Sequence, residues 1–210
     1  MSSYITPLCE IMERQGSDKG GSIHRTKHGH DYTIKYNDLF KDIRMDTLNI
    51  FELGLGTNNI NFPASMGVNG IPGASLRGWR EYFPNSMIFG ADIDSDILFQ
   101  EDRIKTVYCD QRSPTIISDM WKSLDTKFDI ILEDGLHTFD ANLCFLENSF
   151  DWLKDGGIFI IEDIIQHDIE KWNHELESWR QNHACEIHCV HYPPNIVNDN
   201  NLVIIKKNRK

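Results

Sequence analysis

Five short apolar runs punctuate the chain, and each stops at a carboxylate or a glycine: NIFELGLG at 49–56, MIFGADID at 87–94, IKTVYCD at 104–110, FDIILED at 128–134 and GGIFIIED at 157–163. Runs of this length, rich in β-branched and aromatic residues and closed by turn formers, predict buried strands. Between them the period lengthens. Leu76, Trp79 and Phe83 fall at i, i+3 and i+7, and Leu143, Leu146 and Phe150 repeat that spacing. Ile169, Trp172, Leu176 and Trp179 draw one apolar stripe along a helix that is charged elsewhere. Such stripes are read as packing against a sheet. Apolar strands alternating with helix-compatible stretches predict βαβ units and a parallel sheet covered on both faces.

The two ends of the chain read differently. The first forty-five residues are polar and broken by GSDKGGS at 16–22 and KHGHD at 27–31, so 1–45 is expected to be an N-terminal arm or lid on a main domain spanning 46–210. After the last helix, Cys185, Ile187 and Cys189 alternate with polar neighbours, and Leu202 to Ile205 form a compact apolar run. A turn-rich YPPNIVNDNN joins them, which predicts two closing strands, one of them antiparallel. Seven strands result, in an α/β, doubly wound, mostly parallel sheet.

With 210 residues the chain can bury one sizeable core without staples. Five cysteines, an odd and sparse set, suit free thiols in a reducing compartment. The start of the chain lacks the basic and apolar segments of a secretory signal, and no run reaches membrane-spanning length. A cytoplasmic location with no membrane partner is therefore expected. The formal charge of -11 argues against a general nucleic-acid binder, and the basic tail KKNRK is read as a solvated terminus. Cys185, His188, Cys189 and His191 lack zinc-site spacing and are read as strand residues.

Chemistry enters at the strand ends. Glu52, Gly54 and Gly56 close the first run with a tight turn that lets backbone approach a ligand. A dinucleotide fingerprint would require glycine at Asn59, and the next helix is expected only around Gly73, which leaves a long loop of the kind that carries function. Asp92 and Asp94 close the second run, where an acid can accept from a ribose diol.

If the fourth and fifth runs are neighbours, their ends lie roughly 5 Å apart and bring Asp134 beside Glu162 and Asp163. Clustered carboxylates repel, so either one keeps a proton or a cation sits among them. Oxygen ligands suit a hard divalent ion, magnesium first, with manganese or calcium as substitutes. Alternation turns Asp134 away from Glu133, and His137, three residues on, is a candidate general base. Helix capping by Glu162 and Asp163, with His137 as a turn residue, stands as the plainer alternative.

The line from FELGLG to FIIED resembles the class I S-adenosylmethionine-dependent methyltransferases, with their Rossmann-like fold. More narrowly, SLRGWREYFPNSMIFGADID, RIKTVYCDQRSP, FDIILEDGLHTFDANLCFLENSF and LKDGGIFIIEDI resemble the metal-dependent O-methyltransferases that modify macrolide sugars and related glycans, over about residues 15–165. That resemblance implies a cofactor site in which Glu52, Gly54 and Gly56 lie near the methionine part. Asp92 takes the ribose with Asp94 close by, and Asp110 and Gln111 border the adenine. It further implies Asp134, Glu162 and Asp163 as magnesium ligands and His137 as the base. GSDKG and HDYTIKY resemble the arm that closes over the cofactor, which makes Asp18, Lys19 and Tyr32 candidate contacts.

The expected reaction is methyl transfer from S-adenosylmethionine to a small polar acceptor: a sugar hydroxyl, a sugar nucleotide or a small phosphorylated glycan precursor. Self-association stays open. Two other readings also stand at this point: a nicotinamide-dependent oxidoreductase, and a methyltransferase-like domain that binds without catalysing.

Overall fold

A computed structural model of the protein describes residues 5–20, 30–191 and 199–209. One eight-stranded sheet organises them: β1 (Asn49–Leu53), β2 (Met87–Asp92), β3 (Gln100–Glu101), β4 (Ile104–Tyr108), β5 (Phe128–Glu133), β6 (Leu153–Ile161), β7 (Cys185–His191) and β8 (Asn201–Lys207). The order is β3-β4-β2-β1-β5-β6-β8-β7. The five strands predicted from the apolar runs are mutually parallel, with β1 in the centre. β8 runs antiparallel between β6 and β7, as the closing pair predicts. The expected count of seven is one short, because β3 adds a two-residue antiparallel edge next to β4, too short for any periodicity to reveal.

Because side chains alternate across a strand, the sheet has two apolar faces, and each collects three helices. On one face α4 (Pro114–Leu124), α5 (Phe139–Ser149) and α6 (Ile169–Asn182) bury Trp121, Phe145, Leu146, Trp172, Leu176 and Trp179 against Phe51, Leu53, Ile131 and Phe159. On the other, α1 (Pro7–Gln15), α2 (Tyr32–Phe40) and α3 (Ala74–Tyr82) bury Met12, Tyr36, Phe40, Leu76 and Trp79 against Ile50, Ile130, Leu132 and Ile160.

The polar first forty-five residues thus contain two nine-residue helices built into the second face of the core. Local signals explain α1. The Thr6 side chain accepts from the Cys9 amide, Pro7 opens the first turn, and Gly16 ends the helix in a left-handed conformation. Tyr36 and Phe40 of α2 stack one turn apart, and both meet Trp79.

Among the described residues no helix is long and apolar enough to cross a membrane. Lys207 of the basic tail is a strand residue whose ammonium donates to the Phe150 and Leu153 carbonyls, which corrects its reading as solvated. The KHGHD segment falls mostly outside the described residues, as does the turn between β7 and β8 at 192–198. Cys185 and Cys189 are half-buried on β7, as expected of strand residues.

Candidate active site

The parallel strands deliver their carboxyl ends to one edge, and between β1 and β5 the winding of the sheet reverses, β2 and β4 lying to one side of β1, and β5 and β6 to the other. Ligands of doubly wound sheets bind at such a switch point. A cavity of about 230 Å³ opens there. Gly54, Gly56, Asp92, Cys109, Asp110, Gln111, Asp134, His137 and Asp163 line it from the strand ends, and Ser17, Asp18 and Lys19 line it from the segment after α1. The long loop between β1 and α3 supplies an apolar wall of Phe62, Pro63, Ala64, Met66 and Ile71. That loop is tied down by its own hydrogen bonds, Met66 N to the Thr57 carbonyl and Gly73 N to the Leu55 carbonyl.

Gly54 shows why glycine ends β1. Its φ is +91°, and a Cβ there would lie 1.8 Å from the Asp134 carbonyl oxygen. The β1 and β5 ends can approach this closely only without a side chain.

The question of what offsets the carboxylates has an answer within the chain. Glu52, Asp134 and Glu162 share the face covered by α1–α3, and the Lys19 ammonium enters among them. It lies 2.5 Å from Asp134 Oδ2, 2.7 Å from Glu162 Oε2 and 3.8 Å from Glu52 Oε1. Burial opposes its charge, but the three carboxylates outweigh burial and raise its pKa well above the usual lysine value. Asp134 is likewise buried, yet Lys19 and His137 hold its pKa well below the carboxylate range. Glu162 is pushed up by burial and by its acidic neighbours, against the pull of Lys19. It also accepts from Tyr36 Oη at 2.7 Å.

Asp163 occupies a second compartment. Tyr32 Oη donates to its Oδ1 at 2.6 Å, His30 Nδ1 lies 3.2 Å from the same oxygen, and His137 Nδ1 lies 3.4 Å from Oδ2. His137 Nε2 is 3.2 Å from Asp134 Oδ1, so one imidazole bridges the two compartments. Burial disfavours the imidazolium. The hydrogen bond to Asp134 and the charges of Asp163, Asp134 and Glu133 outweigh it, and the pKa rises to about 10. His137 and Asp163 both adopt left-handed backbone, with φ of 59° and 54°. Strain of this sort persists only where surrounding contacts impose it.

Asp134, His137 and Asp163 each offer a ligand atom within 4.8 Å of the others. Glu162, expected with them, is turned to Lys19 and Tyr36 instead, because alternation along the β6 end sends it to the opposite side from Asp163.

The other candidates divide in the same way. Asp18, Lys19, Gly54, Gly56, Asp92, Asp110 and Gln111 line the cavity, whereas Glu52, Asp94, Tyr32 and Glu162 do not. Glu52 is wholly buried, accepting from Ser75 Oγ and Trp79 Nε1. Asp94 anchors the glycine turn through Thr57 Oγ1 at 2.5 Å. Asp92 accepts from the Leu55 and Asp94 amides. Asp110 is held by the Arg112 guanidinium, which lowers its pKa. Gln111 is engaged with the 133–136 loop. Sequence reasoning missed Tyr36 and His30, although the i, i+4 spacing of Tyr32 and Tyr36 puts both on one helix face.

No protein-family model matches the sequence. Among characterised proteins, the chain is similar to the 8-demethyl-8-alpha-L-rhamnosyl tetracenomycin-C 2'-O-methyltransferase of Streptomyces olivaceus, 30% identical over 160 residues, which cover 76% of this chain and 38% of the relative. It is also similar to the demethylmacrocin O-methyltransferase of Streptomyces fradiae, 29% identical over 75% of this chain and 36% of that relative. The chain thus spans well under half the length of these curated relatives. In fold it matches the MycE methyltransferase of the mycinamycin biosynthetic pathway, solved in complex with Mg and SAH, at a TM-score of 0.73 and 22% identity, covering 99% of this chain and 56% of that one. A putative caffeoyl-CoA O-methyltransferase from Staphylococcus aureus matches at a TM-score of 0.60 and 11% identity, over 96% of this chain and 92% of the other.

Proposed function

We propose, from the premise that the chain has the class I methyltransferase fold and is a relative of the sugar O-methyltransferases, that it transfers a methyl group from S-adenosylmethionine to a hydroxyl of a sugar or sugar-linked acceptor, with a divalent cation, magnesium first. The observation that carries this reading is the convergence of Asp134, His137 and Asp163 on the wall of the cavity that the glycine turn, Asp92 and Asp110 also line.

The residues fit both groups. Asp134 and Asp163 offer carboxylate oxygens within 4.8 Å of each other, the donor type a hard divalent ion prefers, with Glu162 behind Asp134 across Lys19 and the His137 ring between the two for proton transfer. Gly54 lets the Asp134 backbone close against the end of β1, and Gly56 lets the Met66 side chain of the loop lie against the turn, so the two glycines shape the cavity wall beside the carboxylates. When bound, the cation supplies Lewis acidity toward an acceptor hydroxyl, and S-adenosylmethionine supplies the activated methyl group.

The protein's own part is placement and charge. Asp92 presents its carboxylate beside the glycine turn, in position for a diol. Asp134 and Asp163 fix the ring of His137 from both nitrogens, so its orientation is set before any acceptor arrives. Between those two carboxylates the ring holds its proton well above the usual imidazole range. Positive charge brought onto Asp134 or Asp163 would lower that pKa and free the ring to act as a base. The apolar loop wall of Phe62, Pro63, Met66 and Ile71 flanks the carboxylates across the cavity.

A nicotinamide enzyme is not favoured. Asn59 stands where the third glycine would be needed, and the cavity wall carries clustered carboxylates.

The test is calorimetry with S-adenosylhomocysteine and with NAD, each in magnesium and in EDTA. It is followed by transfer of labelled methyl from S-adenosylmethionine to phenyl α-L-rhamnoside by the wild type, Asp134→Asn and His137→Ala. Binding of the homocysteine adduct alone, with transfer abolished by EDTA and by both substitutions, is the expected result. Binding with transfer absent from the wild type, on this and a panel of sugar nucleotides, would favour a domain that binds without catalysing.

A further inference from the structure

The side chain of Gln111 reaches from the turn after β4 across to the end of β5. Its Nε2 donates to Glu133 Oε1 at 2.8 Å, and its Oε1 accepts from the Leu136 backbone amide at 2.7 Å. Both ends of the amide are therefore used within the protein, on the two sides of Asp134 and one residue before His137. The fit is close. A Cβ at position 135 would lie 1.8 Å from Gln111 Oε1, so Gly135 is the residue that lets the amide lie against the loop.

Gln111 is buried, at 7% exposure, and so is Glu133, at 0%. Among the described residues Glu133 accepts from Gln111 and the Gly135 amide through one oxygen, and its second oxygen meets no hydrogen-bond partner. A buried amide that satisfies a buried carboxyl and a loop amide at once is costly to replace, because each partner is then left unpaired. The loop it holds is also the one that bends through left-handed backbone at His137. Such a conformation must be imposed by contacts, and the Gln111 to Leu136 hydrogen bond acts one residue before it, alongside the contacts of the imidazole itself to Asp134 and Asp163.

We infer that Gln111 is a positioning residue: it braces the 133–137 loop and so fixes His137 against Asp134 and Asp163, rather than reading the adenine ring that the neighbouring Asp110 and Arg112 could face. Because Gln111 belongs to the same turn as Cys109, Asp110 and Arg112, all on the cavity wall, the brace ties the occupancy of that wall to the placement of the imidazole. The consequence for proton transfer rests on the function proposed above; the bracing does not.

The experiment compares wild type with Gln111→Ala and the bulk-preserving Gln111→Met. It reads amide hydrogen exchange at Leu136, S-adenosylhomocysteine affinity by calorimetry, and kcat and KM for S-adenosylmethionine with phenyl α-L-rhamnoside as acceptor. Leu136 exchange is expected to speed up about tenfold in both variants, while amides of β4 and α4 keep wild-type rates as a check on folding. The homocysteine adduct should bind within about threefold of wild type, and kcat should fall about tenfold at unchanged KM. Unchanged Leu136 exchange in the folded Gln111→Met protein overturns the brace. So does an affinity loss of about tenfold with kcat preserved, which would make Gln111 a cofactor contact. If the wild type binds no homocysteine adduct, the proposed function fails, and the exchange measurement alone still decides the bracing.

Discussion

Two charge clusters in this molecule use the same idea with opposite signs. At the edge of the sheet, Glu101 of β3 takes hydrogen bonds from Arg77 and Arg80 of α3, at 2.8–3.0 Å, with all three side chains roughly a quarter to a third exposed. At the carboxyl end of the central strands, Lys19 serves Asp134, Glu162 and Glu52, with its own side chain 3% exposed. The distances are alike and the consequences are not. Water can take over for either partner in the first cluster. In the second, the ammonium is the cation that fully buried Glu52 and Glu162 face, so the cluster sets the pKa values around it and, through Asp134, bears on the state of His137.

The comparison can be broken most forcefully at Lys19. Lys19→Met leaves the buried Glu52 and Glu162 and the half-buried Asp134 without the ammonium they face, and should cost about 3–5 kcal/mol of stability by denaturant titration at pH 7. Added magnesium should recover more of that loss in the variant than it contributes to the wild type, since a cation that binds only the folded state stabilises it by mass action. A loss no larger than that of a surface pair would mean the cluster is hydrated and the contrast false.

Next in size is a change that touches no charge. Gly54→Ala forces a Cβ toward the Asp134 carbonyl from a left-handed backbone, for about 3–4 kcal/mol together from strain and overpacking. The measurement is thermal unfolding, and a shift no larger than that of a surface substitution would show that the β1 and β5 ends separate freely.

Glu133 sharpens the comparison through pH. Its pKa is raised to about 7, chiefly by burial, from an ordinary value of 4.5. A carboxyl whose folded pKa lies above its unfolded one contributes stability that is fully present below about 4.5 and lost as pH rises through about 7. That loss is roughly 3 kcal/mol. In Glu133→Gln this slope should vanish. The difference between variant and wild type across pH 4.5–8 isolates it, and parallel stability curves would refute the assignment.

The smallest effect belongs to the exposed cluster. Arginine hydrogen bonds lower the pKa of Glu101, so its contribution is present above the ordinary glutamate range and lost as pH falls through the folded pKa. Glu101→Gln should cost no more than about 1 kcal/mol, and less in high salt. A larger cost, measured by urea titration at two ionic strengths, would put it on a par with the buried site.

Much of this was legible in the chain because buried parallel strands are nearly continuous apolar runs. FDIILED and GGIFIIED announce β5, β6 and the acids that follow them, and period-2 alternation separates Glu133 from Asp134. The same alternation, carried one strand further, would have separated Glu162 from Asp163, which the expectation of one three-carboxylate group overlooked. What stayed hidden depended on distant partners. Nothing around Lys19 signals that its ammonium ends among residues more than a hundred positions later, and nothing around Gln111 signals that its amide reaches Glu133 and Leu136. The helices α1 and α2 escaped notice because they are short and lie in polar sequence, and α2 buries Thr33 and Asn37 beside its tyrosines, which breaks the apolar stripe.

The reach of Lys19 bears on how the molecule is made. The contacts from Lys19 to Asp134 and Glu162 span 115 and 143 positions. A nascent chain therefore holds its lysine long before the acids exist, and the counter-ion can dock only after β6 has left the ribosome. Connections of such sequence separation form late and slowly. A chain without residues 5–20 would thus fold its sheet around Glu52, Asp134 and Glu162 with no ammonium from Lys19 among them.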